Sequence, residues 1–272
     1  LKTYFDFSQL SMAAYASLTP GAPSTSALTE AGFSNPLAGQ FASTYTVKSV
    51  SGQDFSGFGF SATLLERTVV VNGISTVEKV LAIRGTDDPL DALIDVVNIG
   101  ILGSENLTPQ YGELKRYVDS LFANNFIQAT DKLIVTGHSL GGFLAQGLAA
   151  DSTYASRIDK VYTYNAPGLG GPVTSVLNAL GISNPLVDSV PVGKVTNFVA
   201  SNGLSPIAGL GQHIGEVQQV FIQDGTPLND HSIATLTDSL ALYSLLEKIN
   251  PTTVTVPSLT AILNAASNMP ER

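Results

Sequence analysis

The stretch that decides the fold is residues 131–151, DKLIVTGHSLGGFLAQGLAAD. Its first half, LIVTG, is a short β-branched run of the kind that makes a buried strand, and its second half, from Leu140 onward, is rich in alanine and leucine and reads as a helix. One serine, Ser139, stands at the corner, with Gly137 and Gly141 two positions away on either side. A residue at a sharp strand-to-helix turn is held in strained backbone geometry, and glycines at this spacing remove side chains that would collide there. Such a turn lifts the serine oxygen above the end of a sheet. The N–H groups at the start of the following helix, and its partial positive charge, then suit an oxyanion, and Leu140 next after the serine would donate one of them. As a bare pattern G-x-S-x-G is common. The strand before it and the helix after it make Ser139 a candidate nucleophile, against the plainer reading of a glycine-tight turn.

Working outward, residues 45–84 carry β patterning, with two β-branched runs around Asn72-Gly73, a dipeptide that marks a two-residue hairpin turn. Beyond it the chain alternates. A helix is predicted over 111–124, then the strand LIVTG, a helix from Leu140, the strands KVYTYNAPG and KVTNFVAS, the strand EVQQVFIQD and the closing helix SIATLTDSLALYSLLEKI. This alternation predicts a mostly parallel sheet covered by helices. An amphipathic helix opens the chain, and the Pro/Ser/Thr-rich residues 18–29 after it read as a surface loop. The last stretch, 251–272, is weakly patterned and reads as a flap or a linker.

The composition narrows the function classes. The chain has 272 residues, of which 44% are apolar, enough for a core in one domain spanning 1–272. Its 13 basic residues against 22 acids give a net charge of −9, which disfavours binding to a phosphate backbone, so no nucleic-acid partner is expected. Cysteine is absent, which removes disulfides and thiolate metal sites. No apolar run reaches the length of roughly eighteen residues that a spanning helix needs, so no transmembrane segment is expected. The start at Leu1 lacks the layout of a signal peptide, and the chain is expected to be a processed form or an excised domain. With a mean hydropathy of +0.22 and only 13% charged residues, the surface is expected either to keep an apolar patch for lipid or a partner or to hide an ordinary large core.

A serine needs a base, and the chain has three histidines, His138, His213 and His231. His138 adjoins the serine and points elsewhere, toward packing or a local hydrogen bond. His231, in LNDHS between a late strand and the last helix, lies where the chain order serine, acid, histidine puts the base. His213, in GLGQHIGE, is read as structural.

The motif GHSLGG, together with AIRGTDDPLDALIDVV upstream, resembles the α/β-hydrolase lipases, in particular the class 3 group, over residues 41–249. The resemblance implies an α/β-hydrolase fold with a mostly parallel central sheet flanked by helices and a β-hairpin ahead of the oxyanion turn. It implies that Thr86, in I-R-G-T, supplies one oxyanion donor beside Leu140; the plainer reading is a capping residue. It places the triad acid just after KVTNFVAS, where relatives carry D-x-V-S or D-x-V-P and this chain reads Asn202-Gly203-Leu204-Ser205. An asparagine there can orient an imidazole but cannot balance its charge, an exchange that costs about 10⁴ in turnover in serine proteases. Asn202, Asp188 and Asp224 therefore all stand as candidates for the third position, with Asp230 badly aimed beside His231.

The acids Asp87, Asp88, Asp91 and Asp95 read as charge at a helix start and a solvated face, with Asp95 the candidate match to a structural aspartate of the family. Calcium is conceivable there, but no ligand spacing supports it, so no metal and no cofactor is expected. The stretch 89–109, with Leu90, Leu93, Ile94, Val97, Ile101 and Leu102 at helical spacing, lies where the resembled lipases carry a mobile lid; a core helix is the plainer reading. The resemblance thus implies a monomeric, exported hydrolase of acylglycerol esters acting at a lipid–water interface. Phospholipase A1 activity, or a catalytically weakened lipid-binding domain, are the alternatives.

Overall fold

The computed structural model describes residues 1–52, 59–85, 107–169, 193–202, 208, 211–223, 226–252 and 254–267, with the backbone alone at 107, 108, 227 and 228. Its centre is a sheet whose order in space is its order in sequence: β1 (Thr46–Val50), β2 (Ala62–Val71), β3 (Ile74–Ile83), β4 (Leu133–His138), β5 (Ile158–Tyr164), β6 (Val195–Ala200) and β7 (Glu216–Val220). The first two pairings are antiparallel and the four from β3 to β7 are parallel. The β2–β3 hairpin turns at the dipeptide that predicted it. Val71 faces Ile74, and the two residues between, Asn72 and Gly73, have φ of 52° and 80°, the positive values that this tight turn demands and that Asn and Gly tolerate.

From β3 onward the parallel strands advance in one direction without reversing. Right-handed crossovers that never reverse put their helices on one face of the sheet, so the other face has to be covered from elsewhere. On the crossover face lie α4 (Leu107–Ala123) and α5 (Leu140–Ala150), whose Leu114, Val118, Phe143 and Leu148 pack on Leu81, Ile83, Val135 and Val161. On the opposite face, α1 (Lys2–Ala13) and α7 (Ile233–Ile249) bring Phe7, Leu10, Leu236 and Leu240 onto Val80, Ala82, Tyr164 and Phe198. Within β3 the alternation is strict: Val80 and Ala82 join one core, Leu81 and Ile83 the other. The mostly parallel sheet flanked by helices, with a hairpin ahead of it, is the predicted α/β architecture.

Three expectations are corrected or left outside. Residues 18–29 are not loop throughout, since α2 (Thr25–Glu30) begins there, capped by the Ser24 hydroxyl, which accepts the Ala27 N–H at 3.4 Å; α3 (Asn35–Thr44) follows. The tail is neither flap nor linker over its described part. It forms α8 (Val256–Ser267), whose Thr260 hydroxyl donates to the Gln219 carbonyl on β7 at 2.7 Å. Its start is signed by Thr255 and Ser258, each side-chain oxygen taking the other's backbone N–H at 3.2 and 2.9 Å, a reciprocal cap. The stretch proposed as a lid, 89–109, lies outside the described residues except for its last three, which open α4. No helix among the described residues is long and apolar enough to cross a membrane.

Candidate active site

Ser139 stands between β4 and α5 with φ 55° and ψ −128°, a conformation that L-residues rarely adopt and that costs about 1–3 kcal/mol where the surroundings enforce it. Its surroundings do enforce it. The Ser139 N–H donates to the Tyr164 carbonyl at the end of β5 at 3.0 Å, and its carbonyl accepts from Gly142 and Phe143 at 3.0 and 3.2 Å. A Cβ on Gly137 would collide with the backbone of Gly141, and one on Gly141 with the carbonyl of Ile83. The two glycines singled out in the sequence therefore let the helix start close down on the strand end. Gly142 does the same against Gly137 and Ala166, a third close approach the motif left unread. Ser139 is only 1% exposed, and its Oγ is a buried hydroxyl with no hydrogen-bond partner among the described residues. Leu140, as the first residue of α5, has one of the N–H groups that a helix start leaves without an intrahelical acceptor.

His231 arrives at the same place from the far end of the chain. It is the last residue of the short helix α6 (Pro227–His231), and Ser232 after it caps α7 by accepting the Ala234 N–H at 3.2 Å. Its ring lies 4.7 Å, centroid to centroid, from that of His138, the residue before the serine. Its carbonyl is gripped twice, by Nε2 of His138 at 2.7 Å and by Nδ2 of Asn165 at 3.2 Å. Asn165 directly follows Tyr164, sits at φ 43°, also donates to the Asp230 carbonyl at 3.1 Å and accepts the Ala200 N–H at 3.0 Å. It thereby ties the ends of β5 and β6 to the helix end that carries His231.

Both imidazoles are buried and neutral at pH 7. Burial, and then the charge that His138 can carry, push His231 down to about 3; burial pushes His138 down to about 4, against the bond to the His231 carbonyl. His213 stands apart in role: its Nε2 meets the Ala208 carbonyl at 2.9 Å, a short-range bond, and burial lowers its pKa too.

The remaining sequence candidates are placed unevenly. Thr86 lies outside the described residues, but Gly85 before it is at the elbow: a Cβ there would come 2.7 Å from the His138 carbonyl and 3.2 Å from Cβ of Ser139. Asp188 and Asp224, and the acids Asp87, Asp88, Asp91 and Asp95, also lie outside. Asn202 is described, and its amide is committed elsewhere. Its oxygen accepts the Ile222 N–H at 3.0 Å and its nitrogen donates to the Ile222 carbonyl, extending the β6–β7 ladder by one side-chain pair. An orienting role toward His231 would require that amide to leave Ile222.

Two residues of this neighbourhood lie outside the motifs that the sequence displays. Asn165, an asparagine at a strand end before Ala-Pro, could have been suspected of a left-handed turn. Tyr15 could not: its hydroxyl meets Nδ1 of His138 at 2.8 Å across 123 positions of chain.

Residues 67–200, from the hairpin to the end of β6 and including the serine elbow, match the family model described as Mbeg1-like. No curated protein matches the chain. Among solved structures, it is similar to the Lip2 lipase from Yarrowia lipolytica, with 17% identity, 86% of this chain and 83% of that chain covered and a TM-score of 0.48. The family match spans the elbow, and it falls on a hairpin-led parallel sheet flanked by helices, with a strained serine at the end of β4: an α/β fold of the kind the sequence predicts.

Proposed function

We propose that the chain hydrolyses carboxylic esters of lipids, acylglycerols first, through an acyl-enzyme on Ser139. The observation that carries this reading is the strained, buried Ser139, whose Oγ has no hydrogen-bond partner among the described residues, with His231 brought to its immediate neighbour. In this mechanism Oγ attacks the ester carbonyl carbon while His231 takes the serine proton. The Leu140 N–H and Thr86 receive the oxyanion. The tetrahedral adduct collapses, the C–O bond to the alcohol breaks, and His231 returns the proton to the departing oxygen. Water, deprotonated by the same imidazole, then releases the fatty acid and restores the serine. The third member is Asp188 or Asp224, since Asn202 serves the sheet, and either carboxylate would orient His231 and balance its transient charge.

A second reading, a lipid-binding domain with weakened turnover, is favoured by one feature: an asparagine held by Ile222 stands where the resembled lipases carry their acid. Hydrolysis of p-nitrophenyl esters of graded chain length, with Ser139→Ala beside the wild type, separates the two. Turnover lost in the variant, with fluorophosphonate labelling that maps to Ser139, supports the hydrolase. Equal inertness of both proteins at every chain length and with lipid present supports the binding domain.

A further inference from the structure

We propose that Tyr15 and His138 form a positioning relay that holds the turn at Gly85 and the backbone of His231 in register around Ser139, a role that rests on the ester-hydrolase reading. Tyr15 lies just beyond α1, and its hydroxyl has two named partners: the Gly85 N–H, which it accepts at 3.2 Å, and Nδ1 of His138 at 2.8 Å. The other nitrogen of that imidazole, Nε2, is 2.7 Å from the His231 carbonyl.

The direction of every bond in this chain is forced. A carbonyl oxygen only accepts, so Nε2 of His138 carries the hydrogen. The buried ring is neutral at pH 7, so Nδ1 carries a lone pair and the Tyr15 hydroxyl must donate to it. The hydroxyl oxygen then has lone pairs to offer the Gly85 N–H. Donors therefore point one way along Gly85, Tyr15, His138 and His231, an arrangement in which each bond polarises the next.

Three separate pieces of the machinery are joined by it: the end of β3 leading to Thr86, the elbow, and the helix end bearing the base. The joint is close. A Cβ at Gly85 would come 3.2 Å from Cβ of Ser139, so a small slip of the Gly85 backbone presses directly on the nucleophile's position. A phenylalanine at position 15 would fill the same space, since its ring meets His138 edge-on at 5.9 Å; only the hydroxyl couples the turn to the imidazole. His138 touches no reacting atom in this scheme, and it acts through the His231 backbone.

The test combines kinetics with nitrogen-15 NMR of histidine-labelled protein. In the wild type, His138 is expected to show a protonated Nε2 and a hydrogen-bonded, unprotonated Nδ1, and Tyr15→Phe is expected to move only the Nδ1 signal toward that of an unbonded nitrogen. The same variant is expected to lower kcat about ten-fold with KM held within about two-fold, because the substrate's binding surface is unchanged while the register is not. His138→Gln, which keeps an N–H and an oxygen in reach of the same partners, is expected to retain more turnover than His138→Leu, which keeps neither. Should the leucine variant not fold, Tyr15→Phe, a one-atom deletion, still decides. Wild-type kcat in Tyr15→Phe, with the Nδ1 bond lost, overturns the relay and leaves the hydrolase reading intact. If wild type and Ser139→Ala are equally inert, the hydrolase reading falls, and the relay as a catalytic device falls with it.

Discussion

The side-chain amide of Asn202 holds both backbone groups of Ile222, its oxygen taking the N–H at 3.0 Å and its nitrogen donating to the carbonyl. Aspartate cannot copy this grip, because a carboxylate oxygen would face the Ile222 carbonyl where the amide now donates. Asn202→Asp is therefore expected to cost about 1–3 kcal/mol, the range for a buried polar group left without its partner, read as a lower urea midpoint at unchanged slope. Its turnover is expected not to rise. An increase by orders of magnitude would instead return the orienting role to position 202.

Asn165 joins three segments through one amide, donating to the carbonyls of Asp230 and His231 and accepting from Ala200. Asn165→Ala removes the side-chain partner of the Asp230 carbonyl and the Ala200 N–H, leaves the His231 carbonyl to His138, and keeps a non-glycine residue at φ 43°. The expected loss is about 2–4 kcal/mol, with kcat falling further than thermal stability predicts because the base loses one of its two backbone anchors. Thermal melts beside p-nitrophenyl ester kinetics measure both; an unchanged kcat would show that His138 alone suffices to place His231.

Gly141 has no room for a methyl group, since its Cβ would strike the Ile83 carbonyl and the Arg84 backbone. Gly141→Ala must push α5 off the end of β3. The expected cost is about 1–3 kcal/mol, with loss of fluorophosphonate labelling at Ser139 even in the fraction that stays folded. Retained labelling at the wild-type rate would mean that the elbow tolerates a displacement the packing says it cannot.

The histidines set the acid side of the pH dependence. Both His231, at about 3, and His138, at about 4, lie below the ordinary imidazole value of 6.5, so on acidification the unfolded chain binds protons before the native state does. The stability these two rings contribute is whole above pH 6.5, declines as the pH falls toward 4, and its loss is complete below 3. Urea midpoints at pH 7 and pH 5 check the sign, and His138→Gln should make the decline shallower. For activity, the acid limb of kcat/KM is expected below pH 6.5, because the base stays neutral there. A limb at or above 6.5 would show that the triad carboxylate, Asp188 or Asp224, outweighs the burial that lowers His231; a limb below it would show that burial prevails with the carboxylate in place.

Ser139 and His231 are 1% and 4% exposed, too little for an ester carbonyl to reach Oγ without an opening motion. Under the lipid-ester reading that motion is driven by an interface, so the rate on a sparingly soluble ester should climb more than in proportion once the substrate exceeds its solubility. A smooth saturation curve through that limit would indicate a site that opens in water unaided.

Much of this protein is decided by neighbours in the chain. The elbow follows from glycines two residues from Ser139, the hairpin from Asn72 and Gly73, and the two cores from the period-two alternation of strands such as β3, all of which are local steric or periodic effects that a linear reading captures. The reciprocal cap of Thr255 and Ser258 is equally local: a Thr-x-x-Ser pair at the start of a weakly patterned tail marks the helix that the hydropathy pattern alone does not.

What tertiary structure alone decided is the employment of the polar side chains. The amide of Asn202 could turn toward a histidine or toward a strand, and only the arrival of β7 beside β6 sends it to Ile222. His138 could have been mere packing until Tyr15, 123 positions before it, and the His231 carbonyl, 93 positions after it, supplied its two partners. A hydrogen bond depends on distance and direction to within tenths of an ångström, and segments so far apart in the chain acquire that precision only when the sheet that lies between them is formed.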